Sequence, residues 1–468
     1  MQKNDSAKRL LLLVMSFLGV LFLTAVYSYT WLMVYHQRLM FNIKFTFWGH
    51  VLIIFIYFLL LLFLNFTYGG MKIGYLKMMD IIFSQIFSLI CVNLVTYLQY
   101  SLMEVKLVWS SGIIRMTLVQ IVISVLWNYI CNRMYLKVFP PRELLLVYGD
   151  RPTEDILCKF ASRPDKFRIT ESVHINLGLQ ELYRRIASSH KAVVLWDIPT
   201  DIRNELFKFC YSRSIRVYMM PKITDVLIKG SDQLHLFDTP ILLSREYPLK
   251  LEQRIAKRMI DLFCAVVLLL ISAPIQIVTA ICIKVYDKGP VLYKQTRCTT
   301  GGREFQIMKF RSMRVDAEKD GVARLAAKHD ERITPVGKVI RAVRIDELPQ
   351  LFNIIKGEMS FIGPRPERPE IIRRYMEEMP EFALRTKVKA GLAGYAQVYG
   401  KYNTTPYDKL KLDLSYIENY SLWLDIKLML LTLKILFKPE STEGIEDSQT
   451  TAMKEEKEKK DVPPNANM

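Results

Sequence analysis

None of the seven cysteines stands near enough to another to make a C-x-x-C pair or a metal-like spacing. Cys91, Cys131, Cys158, Cys210, Cys264, Cys282 and Cys298 therefore read as reduced packing residues, which excludes a disulfide framework. Acidic residues are too few to balance the basic ones: 64 Lys and Arg against 46 Asp and Glu leave a formal net charge of +18. Nucleic acid could account for that charge, but no nucleic-acid module is found and no such partner is expected. A small-residue cleavage site is also missing after the first apolar run, which follows Lys3, Lys8 and Arg9. That run is too long for a signal peptide and reads as a retained anchor.

What is present is apolar. Hydrophobic residues make up 51% of the 468, alongside the positive charge. Together they point to a membrane protein that works beside anionic lipid or phosphorylated ligands. The length allows two or three domains. Four apolar segments, near 10–35, 48–66, 78–97 and 116–135, each have about the 20 residues a spanning helix needs. Short connections make antiparallel neighbours of them. Lys3, Lys8, Arg9, Lys72, Lys77, Arg133, Lys137 and Arg142 fall on one side, against Arg38, Lys44, Lys106 and Arg115 on the other. The larger set puts the N-terminus and the later domains in the cytoplasm. Asp80 and Glu104 lie near helix ends and do not read as an ion path. Residues 1–140 are thus expected to be a four-helix transmembrane domain.

After Pro140-Pro141 the pattern becomes that of a soluble α/β domain, assigned to 141–250. Short apolar runs at 144–148, 192–196 and 215–220 suit buried parallel strands, with amphipathic helices at 179–187 and 202–211 between them. A dinucleotide site would want Gly-x-Gly-x-x-Gly after the first strand. Only Gly149 is there, so the domain reads as a degenerate Rossmann-like unit with a packing or assembly role; it could mediate a homodimer.

Residues 251–438 read as a mainly α-helical catalytic domain. It opens with a fifth apolar segment, 257–286, that has Pro274 in its middle and Ser272 just before. Proline removes a helical hydrogen bond, and the serine hydroxyl can satisfy a freed carbonyl. Lys257 and Arg258 precede the segment; Lys284 and Lys288 follow it. Both ends then want the cytoplasm, which a re-entrant helix broken at Ser272–Pro274 satisfies. An ordinary kinked span is the competing reading. A basic cluster follows, with Lys294, Arg297, Arg303, Lys309, Arg311 and Arg314 around a Gly301-Gly302 turn. It can face lipid phosphate or a nucleotide diphosphate.

Asp346 and Glu347 then stand at the expected start of a helix. Asp346 is a good N-cap, Pro349 falls in the first turn, and Leu348, Leu351, Phe352 and Ile355 keep helical spacing up to Gly357. The bland reading is a cap with a dipole partner. The sharp one is a catalytic pair, one carboxylate attacking phosphorus and the other holding a metal. Arg341 comes from the preceding helix, begun by Thr334-Pro335. Arg365 sits in the rigid Gly363-Pro364-Arg365-Pro366 turn, where a fixed guanidinium is a good phosphate ligand. Gly391 and Gly394 space a loop, ending at Gln397, fit for close backbone approach to a ligand. Ser421 caps an apolar helix, 422–437, expected to lie in the membrane surface. Residues 439–468 read as a disordered tail.

These motifs carry a resemblance. From about Lys257 to Lys438 the chain resembles the bacterial sugar transferases, also called monotopic phosphoglycosyl transferases, in their large form. The matching pieces are the basic-flanked segment with Pro274, Lys309-Phe310-Arg311-Ser312-Met313, Asp346-Glu347-Leu348-Pro349-Gln350-Leu351, Gly363-Pro364-Arg365-Pro366 and Gly391-x-x-Gly394-x-Ala396-Gln397-Val398. The resemblance implies that a UDP-sugar gives its sugar phosphate to polyprenyl (undecaprenyl) phosphate and releases UMP. Asp346 would be the nucleophile, forming a phosphosugar-aspartyl intermediate, and Glu347 would bind Mg²⁺ as the cofactor. Lys309, Arg341 and Arg365 would hold phosphates; Arg311, Pro364, Gln397 and Lys401 complete the expected substrate-binding set. The product would begin a capsule, exopolysaccharide or related glycan at the bacterial inner membrane, with membrane lipid as a further partner. This chain has Ala273 where the family often has Ser, and Tyr395 and Tyr399-Gly400-Lys401 where it often has Trp and Asn-Gly-Arg. Two rivals remain: a glycosyltransferase that releases UDP, and a membrane-anchored sensor or scaffold.

Overall fold

The computed structural model describes residues 2–35, 46–107, 111–189, 192–244, 248–315, 330, 332–400 and 404–437. The expectations for Arg38, Lys44, Lys401 and the 439–468 tail lie outside the described residues. The chain divides into two compact units, Met1–Pro221 and Lys222–Met468.

The first unit begins with four long helices: α1 (Gln2–Thr30, continued by a π turn Trp31–Tyr35), α2 (Phe47–Tyr68), α3 (Met78–Met103) and α4 (Ser111–Val138). Thr46 caps α2 by accepting from Gly49 N, and Gly69 ends it in a left-handed conformation at φ 84°. The bundle is apolar outside, where Leu52, Phe55 and Leu59 are exposed, and carries polar groups within. Tyr57 Oη donates to Asn93 Oδ1 at 2.8 Å, Asn93 Nδ2 to Gln120 Oε1 at 2.9 Å, and Gln120 Nε2 back to Tyr57 Oη at 2.9 Å. Closed polar rings of this kind hold helices together where the surroundings offer no hydrophobic drive.

A parallel sheet follows, in the order β2-β1-β3-β4. Its strands are β1 (Arg142–Tyr148), β2 (Phe167–His174), β3 (Ala192–Trp196) and β4 (Arg216–Met219), with helices α5 (Glu154–Ala161), α6 (Leu179–Ser189) and α7 (Thr200–Ser212) between them. β2 and α5 were not foreseen. β2 is an edge strand of alternating exposure, FRITESVH, without the apolar run that marks β1 and β3. Gly149 is required by packing, since a Cβ there would come within 2.3 Å of Asp197 O where β1 leaves the sheet hard against the end of β3.

The second unit begins earlier than the expected boundary at 250. Helix α8 (Ile223–Lys229) and Leu249 share one core with Ile362, Phe382, Leu410, Leu414 and Leu428. A hairpin, β5 (Asp232–Leu236) and β6 (Thr239–Leu243), lies between. Helix α9 (Leu251–Asp287) corrects the expected break: it runs through Pro274 without interruption for 37 residues. Ser272 does little to replace the lost bond, since its Oγ donates only at 3.5 Å, to Leu269 O, and accepts from Gln276 Nε2 at 2.9 Å. Both ends of α9 pack on this unit. Near the start, Lys257 Nζ donates to Ile362 O at 2.9 Å; at the end, Asp287 pairs with Arg311. In the middle, Leu270, Ile271, Ile277 and Val278 are exposed.

The rest is mainly helical, as expected, with two small sheets that were not foreseen. The basic cluster is an antiparallel hairpin, β7 (Leu292–Cys298) and β8 (Glu304–Phe310), turned at Gly301 and Gly302 with φ of 66° and 76°. Then come α10 (Pro335–Ala342), α11 (Gln350–Lys356), β9 (Ser360–Ile362), α12 (Pro369–Glu378), β10 (Gly391–Ala393), α13 (Tyr395–Tyr399), α14 (Pro406–Glu418) and α15 (Leu422–Leu436). Thr334 caps α10 and Ser421 caps α15 through their side chains, as their positions predict. Across both units five helices are long and apolar enough to cross a membrane among the described residues: α1 to α4 and α9.

Candidate active site

Asp346 and Glu347 do not cap a helix. They occupy a single 3₁₀ turn, Ile345–Glu347, between α10 and α11, and Pro349 takes the cap position of α11. The turn is entered through Arg344, held left-handed at φ 58°. A non-glycine residue there is a strained element of the kind found at functional sites.

The two carboxylates sit in different surroundings. Glu347 Oε1 accepts from Lys309 Nζ at 2.9 Å and Arg365 Nη2 at 3.3 Å, and Arg344 Nη1 lies 3.7 Å away. Burial alone would raise its pKa, but Lys309, Arg365 and Arg344 outweigh that and hold it far below the usual carboxylate range. Asp346 is buried, and its Oδ1 has no hydrogen-bond partner among the described residues. Burial and the neighbouring Glu347 charge push its pKa up, against the pull of Lys309, Arg344 and Arg341. Two adjacent carboxyl groups driven apart in this way suit two roles.

Lys309 is placed by a residue that no sequence motif marks. Asn353, fully buried on α11, accepts from Met308 N at 3.0 Å and donates to Gln306 O at 2.8 Å. Its side chain pairs with β8 as another strand would, and so fixes the next strand residue against Glu347. Arg365 is delivered by β9, which pairs in parallel with β10. Here the glycines serve the chain crossing more than a ligand. A Cβ on Gly391 would lie 2.1 Å from Gly363 N, and one on Gly394 would lie 2.3 Å from Gly363 O.

The structure thus brings Lys309, Arg365 and the unforeseen Arg344 onto the pair, with Arg341 acting on Asp346 by charge. Pro364 lies in the same turn and accepts from Gly391 N through its carbonyl at 2.9 Å. Gln397 Nε2 reaches Leu392 O at 3.5 Å, while its buried Oε1 has no partner among the described residues. Arg311 is placed elsewhere: it is buried against Asp287 at the end of α9, and among the described residues no ion pair joins it to Asp346 or Glu347. Ser272 and Pro274 lie within the unbroken α9.

Among the described residues no group of three or more His, Cys, Asp or Glu could hold a metal. Mg²⁺ needs less, since it is usually held by one or two carboxylates together with substrate phosphates and water. The unpartnered Asp346 Oδ1 fits that demand, and Glu347 stands beside it with Oε1 already covered by cations.

Residues 252–439 match the family model described as bacterial sugar transferase. A UDP-glucose:undecaprenyl-phosphate glucose-1-phosphate transferase of Caulobacter vibrioides is 40% identical over 185 residues, 38% of this chain and 69% of that protein. The chain belongs to the bacterial sugar transferase family. Asp346, Glu347, Lys309 and Arg365 all lie inside the segment matched to that family. A UDP-N-acetylgalactosamine-undecaprenyl-phosphate N-acetylgalactosaminephosphotransferase of Aeromonas hydrophila is 37% identical over 242 residues, 50% of this chain and 56% of that protein. A galactosyl transferase of Streptococcus agalactiae is 40% identical over 198 residues, 40% of this chain and 43% of that protein. The chain spans about half the length of the curated relatives it matches, as these last two coverages illustrate.

Proposed function

We propose that this sugar transferase moves a sugar-1-phosphate from a UDP-sugar to undecaprenyl phosphate and releases UMP. The observation that carries the reading is the split pair: Glu347 is covered by cations, while Asp346 keeps a buried oxygen without a donor among the described residues. An oxygen with a raised basicity and no partner is the one able to attack. In the first step an Asp346 carboxylate oxygen bonds to the sugar-bearing phosphorus, the phosphoanhydride bond breaks, and its electron pair leaves on UMP. In the second, an oxygen of undecaprenyl phosphate attacks the same phosphorus and the aspartyl bond breaks, which returns Asp346 and yields the lipid diphosphate sugar. Lys309, Arg344 and Arg365 surround this phosphorus with fixed positive charge, which offsets the charge of the transferred group. Mg²⁺, held by Glu347 with the diphosphate, would add further neutralisation there.

The membrane arrangement follows from the same reading. The site works at the cytoplasmic face of the inner membrane, with α1 to α4 spanning it. Both ends of α9 stay on that face, because residues on either side of it in sequence share one core. The names of the relatives divide among glucose, N-acetylgalactosamine and galactose, so all three UDP-sugars belong in the test. The galactosyl transferase name keeps release of UDP as a second reading.

The experiment measures nucleotide release from membrane-embedded protein with undecaprenyl phosphate, Mg²⁺ and each UDP-sugar. The expected result is UMP with one sugar, and a loss on the order of a thousandfold or more in Asp346→Asn. Release of UDP would sink the phosphosugar mechanism. An active Asp346→Asn would sink the covalent step.

A further inference from the structure

The turn that carries Arg365 is held by its main chain. Ile362 O accepts from Lys257 Nζ at 2.9 Å and Tyr416 Oη at 3.2 Å. Pro364 O accepts from Gly391 N at 2.9 Å, Arg365 O from Arg385 Nη2 at 3.0 Å, and Pro366 O from Arg297 Nη1 at 3.1 Å. Two prolines stiffen the turn and take away donors of its own, so its carbonyls turn to donors from elsewhere in the fold.

Among these donors Arg385 is the central one. It is 3% exposed and lies on the 3₁₀ stretch Pro380–Lys387, away from every motif that the sequence offered. Its Nη2 and Nε meet Asp413 Oδ2 at 2.8 and 3.1 Å, and its Nη1 lies 3.7 Å from Glu367 Oε1. Lys409 pairs with the same Glu367 oxygen, and Arg297 lies 3.7 Å from the other. One planar guanidinium therefore ties Asp413 on α14, Glu367 after the turn, and the carbonyl of Arg365 itself. A fork of fixed donors can do this; the point charge of lysine cannot reach all three.

We infer that Arg385 is a positioning residue: it holds Arg365 by that residue's own carbonyl and so sets the guanidinium that pairs with Glu347. The inference rests on the reading of the site as a transferase. Its consequence is specific. Loosening Arg385 should act only through Arg365, and should disappear once the Arg365 side chain is gone.

The test is a double-mutant cycle on the full-length protein in membranes. Arg385→Lys keeps a charge beside Asp413, so the buried carboxylate is not abandoned, and its Tm is expected to stay near that of the wild type. Arg385→Lys alone should lower the turnover of nucleotide release about tenfold, within the range seen for coupled neighbours. In an Arg365→Ala background the same change should cost less than about twofold. The cycle is read on whichever nucleotide the wild type releases, so UDP in place of UMP overturns the phosphosugar mechanism and leaves this inference standing. Affinity for UDP is measured across the same four proteins as a readout that needs no turnover, and it should show the same coupling. A tenfold loss in both backgrounds would overturn the inference, as would full activity and full UDP affinity in Arg385→Lys.

Discussion

At the scale of the residue, the site is a matter of which carboxylates keep their charge and why. Glu367 shows the effect most plainly. Burial opposes its charge, yet Lys409, Arg385 and Arg297 hold its pKa down from 4.5 to about 2. A carboxyl lowered on folding stabilises the protein fully above its ordinary value and loses that contribution as pH falls toward the folded one. The contribution is about 3 kcal/mol at neutral pH and should fade between pH 4.5 and pH 2. Glu367→Gln is therefore expected to lower Tm at pH 7 and to flatten the decline of Tm over that acid window. Thermal unfolding of the purified protein across pH checks this; a variant that declines as steeply as the wild type would contradict it. Asp346, Glu347, Lys309 and Arg365 were legible in the sequence because they stand in short, distinctive strings. Arg344, Arg385 and Asp413 were not, since a left-handed arginine and a buried ion pair made across 28 residues leave no local pattern.

At the scale of the element, what was legible followed the strength of the local signal. The long helices announce themselves by apolar length, and α10 and α15 by their caps. β2, β7 and β8 escape notice for one reason: each carries charged or polar side chains on partly exposed faces, and no apolar run marks it. The glycine-spaced loop is visible but its purpose is not, because a sequence does not show which backbone will lie across which. That crossing gives a paired prediction. Gly391→Ala would put a methyl 2.1 Å from Gly363 N, where backbone must shift. Gly301→Ala meets nothing within 4 Å and adds only the strain of φ 66°. The first is expected to cost about 2 kcal/mol or more, with overpacking of backbone as the cause, and to displace Arg365. The second is expected to cost about 1–2 kcal/mol and to leave turnover unchanged. Tm and nucleotide release, measured side by side, separate the two: equal losses of activity would mean that the β9–β10 crossing does not position the site.

At the scale of the whole molecule, α9 decides where the proposed soluble donor and lipid acceptor would meet. Its length would suit a span, being about 55 Å if straight. Charge and packing speak against one. Lys257 and Arg258 stand before the apolar stretch and Lys284 and Lys288 after it, so a span would carry basic flanks to both sides. Ile223, Val226 and Leu249 precede the helix yet share a core with Ile362, Phe382 and Leu410, which follow it. A membrane between these groups would divide that core and leave both halves open to water. The loss would be several buried side chains at about 1.5–3 kcal/mol each, which no gain from spanning replaces. Membrane-impermeant thiol labelling tests the consequence. In a variant without the seven native cysteines, Glu252→Cys and Lys288→Cys are introduced singly at exposed positions on either side of the apolar stretch. Both are expected to label from the cytoplasmic face of inverted vesicles and from neither face of sealed cells. Labelling of one from each side would make α9 a span, and would require the shared core of the second unit to be assembled some other way.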